Sequence, residues 1–454
     1  MIRTGSPEVV GRASGAGHPR AETHIRGVTD LPLPPGPTEP ATEQVRRWIE
    51  TPVEFWEECE REYGAATTLE LGSLGRVILM SDPACVRDIF RLPSEAFECH
   101  QYNEHYRYVM GDRSVLLQDG DTHKRQRRLL APMFRHDQLL PKLHVIRDIV
   151  LETIDAWPAG TPFNPRPSLH DITFQTMVRL IFGDRISTTS STLIAAYQKS
   201  VSAQVGSWGP WRNFSRMQPR IRELLASEIS LRRENPDHPG FMTHLALAKE
   251  ADGTPVSDEE CEDHVFSLLV AGVDTSAISL AWALHWLSRE PAVRDKVVAE
   301  LAQAEHDETG RALLSLPYLN AVYSETIRMY PIVPTPSGRK LLRPNTIGPY
   351  TFDAGVTLVP CTYLVHRREE LYPDSHAFRP ERFLERKFAQ YEYLPYGGGV
   401  RSCVGEMLAK YEFTVAVATI LERWRVQTTD APPLRPVRHG TLLAPPDGLE
   451  LVVR

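Results

Sequence analysis

Cys403 stands in the glycine-rich run Tyr396-Gly-Gly-Gly-Val-Arg-Ser-Cys-Val-Gly405, with Arg401 just before it and Gly405 just after. An amphipathic stretch from Glu406 to Leu421 follows directly. A thiol at such a loop-to-helix junction faces the unpaired N–H groups and the positive end of the helix dipole. Both favour the thiolate, which is a strong ligand for iron. Glycines let a flat macrocycle approach the backbone closely, and Arg401 can pair with a carboxylate on it. The bland alternative is a buried cysteine in an ordinary turn.

A second cluster sits inside a long apolar stretch. The pattern predicts a helix over Asp258–Arg289, opened by a capping box of Ser257 with Glu260 and closed by Pro291. Such a helix is about 48 Å long at 1.5 Å per residue, enough to cross a whole domain. It carries Ala271-Gly-Val-Asp274-Thr275-Ser276. An acid and a hydroxyl are costly in a buried apolar helix unless they are satisfied. Either Thr275 bonds back to the Ala271 carbonyl and Asp274 meets a buried base, or the helix opens locally to hold water and oxygen beside a metal.

Three further sets surround these two. Glu325 and Arg328 share one face of a helix predicted over 317–330, and Pro380-Glu-Arg382-Phe383 follows downstream. His123 and Arg127 share a face of a helix predicted over 121–134, where Lys124, Arg125 and Arg128 read as a solvated basic surface. Arg339 follows the Glu325 helix in Pro336-Ser-Gly-Arg339.

Together these residues resemble the cytochrome P450 superfamily. The Cys403 run is similar to the haem-binding signature F-x-x-G-x-R-x-C-x-G, matched by Gly399, Arg401, Cys403 and Gly405, with Tyr396 in place of Phe. Residues 271–276 resemble the oxygen-activation motif [AG]-G-x-[DE]-T-[TS], and the E-x-x-R and P-E-R-F elements follow in the family's order. The resemblance implies haem b (iron protoporphyrin IX) on Cys403. It implies a structural triad of Glu325, Arg328 and Arg382, and propionate contacts from His123, Arg127, Arg339 and Arg401. Thr275 would hold dioxygen through a hydrogen bond, Asp274 would help deliver protons, and Gly272, next to Ala271, would leave room for the oxygen.

The implied fold is a single, mainly α domain with small β-sheets, haem lying between the long central helix and the cysteine helix. The implied activity is monooxygenation of an organic small molecule, by hydroxylation or epoxidation, and the resemblance implies a secondary metabolite, lipid or terpenoid as substrate. NAD(P)H would supply electrons indirectly, through a ferredoxin or flavodoxin with its reductase. Lys124, Arg125, Arg128 and Lys410 would offer that partner a basic patch. Three other readings stay open: a peroxide-using enzyme of this fold, desaturation or oxidative C–N/C–C coupling, and a haem-binding partner protein without turnover.

The rest of the chain permits this reading. Its 454 residues, 42% hydrophobic and 24% charged, suit a large globular core. A net charge of −7 gives no reason to invoke nucleic acid. Six scattered cysteines without a CxxC argue against a disulfide framework and fit a reducing, cytoplasmic setting. The Cys261-x-x-His264 pair reads as helix surface. No unbroken run of 18 apolar residues appears, so no membrane span is expected. Residues 1–30 read as a flexible extension, and 31–454 as the catalytic domain.

Two hairpins are expected, one over 67–80 and one at Gly440–Gly448, with a β-rich region over 341–364 and a helix over 42–63. The substrate pocket would draw on the loop 100–116 with its Tyr102, Asn103, His105, Tyr106 and Tyr108. It would also draw on a lid over 197–217 with Trp208, Trp211 and Phe214, on the strand after the Glu325 helix, and on the Gly440 hairpin.

Overall fold

The structure, a computed structural model, describes residues 32–183, 194–196, 212–305, 310–429 and 434–454. The expected extension over 1–30 lies outside the described residues, as do the lid residues Trp208 and Trp211 and the side chain of Phe214.

The central helix runs Asp258–Arg289, as its pattern predicts. Ser257 accepts from the Glu260 amide, so half of the capping box forms. The Glu260 carboxylate turns instead to Arg125 at 2.6 Å and Gln126 at 3.1 Å. This helix is apolar enough to cross a membrane by composition, yet 83% of its most apolar window is buried inside the molecule. It packs on the helices Arg166–Phe182 and Glu406–Arg423, and the latter packs on Leu143–Ile154. Aliphatic and aromatic side chains from these four helices make the main core. Burial at roughly 25 cal/mol per Å² of apolar surface is what holds them together.

A five-stranded sheet forms a second layer. Its strands are β1 (Ala66–Glu70), β2 (Arg76–Met80), β3 (Phe97–Glu98), β4 (Arg339–Leu341) and a later strand β7, in the order β1-β2-β7-β4-β3. Between β4 and β7 lies a small hairpin of β5 (Asn345–Ile347) and β6 (Tyr350–Phe352), and β7 spans Thr357–Pro360. β1 and β2 form the expected hairpin, with Leu69 opposite Val77. β2 runs parallel to β7, with Ile78 opposite Leu358. The remaining pairs are β8 (Val426–Thr428) with β11 (Leu451–Val453), and β9 (Val437–His439) with β10 (Leu442–Ala444). β9 and β10 turn at Gly440, which takes φ 65°.

Three expectations are corrected. The helix expected over 42–63 is two helices, Ala41–Glu50 and Pro52–Tyr63, because Pro52 cannot continue the first. The helix expected over 121–134 is α-helical only across Gly120–Leu130 and tightens to a 3₁₀ turn where Pro132 enters. Cys261 and His264 are buried rather than on a surface, since the helix Phe241–Leu247 covers them and its Leu245 carbonyl stands 3.3 Å from the Cys261 sulfur.

Candidate active site

Cys403 lies between a short 3₁₀ turn, Gly399–Arg401, and the helix Glu406–Arg423. Its amide donates to the Tyr396 carbonyl at 3.0 Å, which closes the loop. Burial raises its pKa overall, and the Gly405 and Glu406 amides, which point at its sulfur, offset part of that rise. The residue is exposed to a cavity of about 770 Å³, which it lines. The N-terminal amides predicted to favour a thiolate are therefore in place.

The glycines of the run serve the protein's own packing. A Cβ on Gly399, at φ 66°, would stand 2.0 Å from the Phe90 carbonyl oxygen. A Cβ on Gly405 would lie 3.9 Å from the sulfur, in ordinary contact. Tyr396 is half-buried, and its hydroxyl pairs with that of Tyr323 on the Glu325 helix. The extra hydroxyl of the departure from Phe is thus satisfied by Tyr323.

The opposite wall comes from the central helix, whose Ala271, Gly272, Asp274 and Thr275 line the same cavity as Cys403. The helix stays continuous here. Thr275 donates to the Ala271 carbonyl at 2.7 Å, the back-bond rather than a local opening. Asp274 stands 3.4 Å from His170 on the helix Arg166–Phe182. His439 feels Asp274, His170, Arg166 and Asp447, so these groups form one polar neighbourhood, in which Arg166 pairs with the exposed Asp447 at 2.9 Å. A Cβ on Gly272 would meet the Met177 sulfur at 2.9 Å. Its smallness lets two helices approach beside the cavity that Gly272 also lines.

Cations gather at one edge. Arg339, 1% exposed, lies over the rings of Phe90 and Phe97 at 4.6 and 5.2 Å. It donates to the Ser337 and Gly398 carbonyls, but among the described residues its Nε has no partner and no carboxylate pairs with it. Burial, with Arg401 nearby, pulls its pKa down to about 10. His123 is buried and driven to about 3 by desolvation and by Arg401 and Arg127, so it is neutral. Arg127 is also lowered by burial. Arg401 has a protein carboxylate of its own, Asp119, besides the Gln118 and Val115 carbonyls. An orphaned, fully buried guanidinium beside crowded cations is a cradle for an anionic group. With a cysteine on the cavity floor, the donor set fits a haem and its propionates.

Glu325, Arg328 and Arg382 meet in the core, all three buried. Arg328 forks onto Glu325 at 2.6 and 2.9 Å, and the Arg382 Nε reaches the same carboxylate at 3.0 Å. Arg328 also donates to the His366 carbonyl at 2.7 Å. His366 connects this cluster to the cysteine loop, because its Nε2 accepts from the Leu394 amide at 3.0 Å and its Nδ1 faces the Arg328 carbonyl at 3.2 Å. Burial and the neighbouring arginines hold its pKa far down, which keeps the ring neutral and able to accept. Sequence reasoning missed His366, since nothing in its local pattern marks it.

Of the expected pocket residues, Tyr102, Asn103, His105, Tyr106 and Tyr108 line the cavity, with Ile332–Ser337 and Thr441–Leu443.

The site and fold define a haem-thiolate protein. The chain matches the cytochrome P450 family model over residues 34–453, and it belongs to that family. Cytochrome P450 135B1 of Mycobacterium tuberculosis is 33% identical over 450 residues, covering 95% of this chain and 93% of that relative. Cytochrome P450 138 of the same species is 28% identical over 410 residues, 87% of this chain and 90% of the relative. Among solved structures, a cyanobacterial CYP120A1 with retinoic acid bound superposes with a TM-score of 0.82 at 22% identity, over 93% of this chain and 99% of that one. The heme domain of cytochrome P450DA gives a TM-score of 0.81 at 19% identity, over 93% and 98%. The chain is a cytochrome P450 monooxygenase.

Proposed function

We propose that this chain inserts one atom of O2 into an apolar organic molecule, by hydroxylation or epoxidation, and releases the other as water. The observation that carries this reading is the shared cavity, with Cys403 on one wall and Asp274–Thr275 on the other. Haem, when bound, supplies the binding and reductive activation of dioxygen.

The chain's own residues do the rest. Cys403 holds the iron as thiolate, helped by the Gly405 and Glu406 amides. Arg339, Arg127 and His123 receive the propionates, and Arg401, held by Asp119, adds positive field at the same edge. Thr275 has its one proton committed to Ala271, so it presents lone pairs to the cavity and accepts from a protonated group there. Asp274 passes protons inward and is resupplied through His170. The Glu325–Arg328–Arg382 triad holds the cysteine loop through His366. Residues 31–454 form the catalytic domain.

Electrons come from NAD(P)H through a separate ferredoxin or flavodoxin and its reductase, and the protein works in the cytoplasm on a lipid, terpenoid or other secondary metabolite.

Reduced protein under carbon monoxide is expected to show the red-shifted Soret band of a thiolate ligand, and Cys403→His to abolish it. A band that survives that substitution would remove Cys403 as the ligand and this reading with it.

A further inference from the structure

Arg438, on β9, lines the same cavity and is half-buried. It donates from Nη1 to the Trp48 carbonyl at 2.7 Å and from Nε to the Gly440 carbonyl. Among the described residues no carboxylate pairs with it, and its Nη2 has no protein acceptor. Its charge acts on His105, and the titratable groups that act on it are the neutral Tyr102 and Tyr106 hydroxyls. These are already engaged, by Thr335 at 3.2 Å and by Thr441. It is also separate from the cations at the cavity's other edge, because Arg401 acts on both Arg127 and Arg339 whereas Arg438 acts on neither.

A guanidinium in an apolar cavity costs free energy unless something answers its charge. The one carboxylate of this wall among the described residues, Glu104, is already held by Arg107 at 2.7 and 3.0 Å. The wall is built from Trp48, Trp56, Ile332, Val333 and Leu442. His105, tilted against Tyr106 at 4.1 Å in the same wall, has a buried Nε2 with no hydrogen-bond partner among the described residues. Burial and the Arg438 charge both hold it neutral. A polar corner with one unanswered cation therefore interrupts a hydrocarbon-lined space.

We infer that Arg438 anchors the carboxylate of a lipophilic monocarboxylic acid, so that the substrate is an apolar chain or isoprenoid skeleton ending in one acid group. One cation matches one negative charge, and the wall matches the hydrocarbon. Two backbone carbonyls hold the guanidinium in place, so its free edge is preorganised toward the cavity. The inference rests on the monooxygenase reading and narrows its substrate class.

The test uses the haem-loaded protein and three probes, dodecanoic acid, methyl dodecanoate and dodecanol, each titrated by the Soret shift. Wild type should bind the acid at least tenfold more tightly than the ester or the alcohol. Arg438→Leu should weaken acid binding roughly ten- to a hundredfold, as expected for a lost hydrogen bond to a charged group, and leave the ester unchanged. Arg438→Lys, which keeps the charge but loses the fork, should restore part of the preference. Equal binding of acid and ester by wild type would overturn the inference, as would an acid preference that survives Arg438→Leu. The carbon monoxide spectrum of each protein separates the two claims. Loss of the thiolate-type band in wild type defeats the monooxygenase reading, whereas an intact band with no acid preference defeats the anchor alone.

Discussion

Thr275 commits its one hydroxyl proton to the carbonyl of Ala271, and that single bond shapes its chemistry. It can accept from a protonated group in the cavity but cannot donate to one without breaking the back-bond. Removing it should leave substrate binding and NADPH consumption intact while more of the consumed oxygen leaves as hydrogen peroxide. Thr275→Ala is therefore expected to lose product per NADPH, measured as peroxide yield against product yield, and unchanged coupling would contradict the role. Asp274 is expected to act earlier, in resupply. Asp274→Asn should slow turnover by up to about 10²–10⁴-fold, the usual range for a lost general acid, with thiolate ligation intact. His170→Phe should slow it in the same direction and enlarge the solvent isotope effect, because His170 at 3.4 Å is the base Asp274 meets. Asp274 and Thr275 could be read from the sequence because they are polar residues in an apolar run. His170 could not, since its pairing depends on how two helices pack across Gly272 and Met177.

At the scale of elements, the cysteine loop owes its position to contacts far along the chain. Glu325, Arg328 and Arg382 are legible as motifs, but their route to the loop runs through His366 and the Leu394 amide. Glu325→Ala should leave two buried guanidinium groups short of a carboxylate, costing roughly 3–5 kcal/mol. The expected outcome is loss of haem-loaded protein rather than a pure rate defect, seen as a lower haem-to-protein ratio and melting temperature. His366→Phe keeps the ring volume but removes the acceptor, so it should weaken haem retention less and leave the triad paired.

A second buried acid lies between helices. Glu412, on the cysteine helix, is buried, with the Ser276 and Thr176 hydroxyls beside it but no hydrogen-bond donor in bonding geometry. Burial lifts its pKa from 4.5 to about 8. The folded state thus binds a proton that the unfolded state releases, and stability falls as pH rises. Its contribution is fully present below about pH 4.5 and is lost progressively up to about pH 8. Glu412→Gln should flatten that slope and melt higher than wild type at pH 8, as followed by thermal denaturation across pH 5–8. An unchanged slope would place the titrating group elsewhere. Glu412 drew no attention in the sequence because an acid in an amphipathic helix ordinarily faces water, and only the packing of three helices removes it.

At the scale of the whole molecule, the order of motifs from His123 to Gly405 fixes the fold, because each motif is local and its spacing survives in the structure. What was not legible depends on distant packing: the break at Pro52, the unanswered charge of Arg438, and the fate of the basic surface. That surface is smaller than the sequence suggests. Arg125 is engaged by Glu250 at 2.9 Å and Glu260 at 2.6 Å. Lys410 is half-buried beside Glu406, and burial lowers its pKa. Lys124 and Arg128 remain exposed, on the helix that also carries His123 and Arg127, and Lys124 pairs with the exposed Asp121 at 3.1 Å.

On a chain with net charge −7, a docking face for an acidic electron donor must therefore be local. Its attraction acts over about 10 Å at 0.1 M salt, so reduction by a ferredoxin should slow as salt rises. Arg128→Glu and Lys124→Glu should each lower the ferredoxin-driven rate, by about tenfold or more at low salt if steering dominates. Reduction by dithionite should stay unchanged, because a small reductant needs no docking face. Arg125→Glu is expected to differ in kind. It would set an acid against Glu250 and Glu260 and lower the melting temperature. Stopped-flow reduction with both donors, at two salt concentrations, distinguishes these effects. A ferredoxin-driven rate that is insensitive to salt and to both substitutions would move the docking face off this helix.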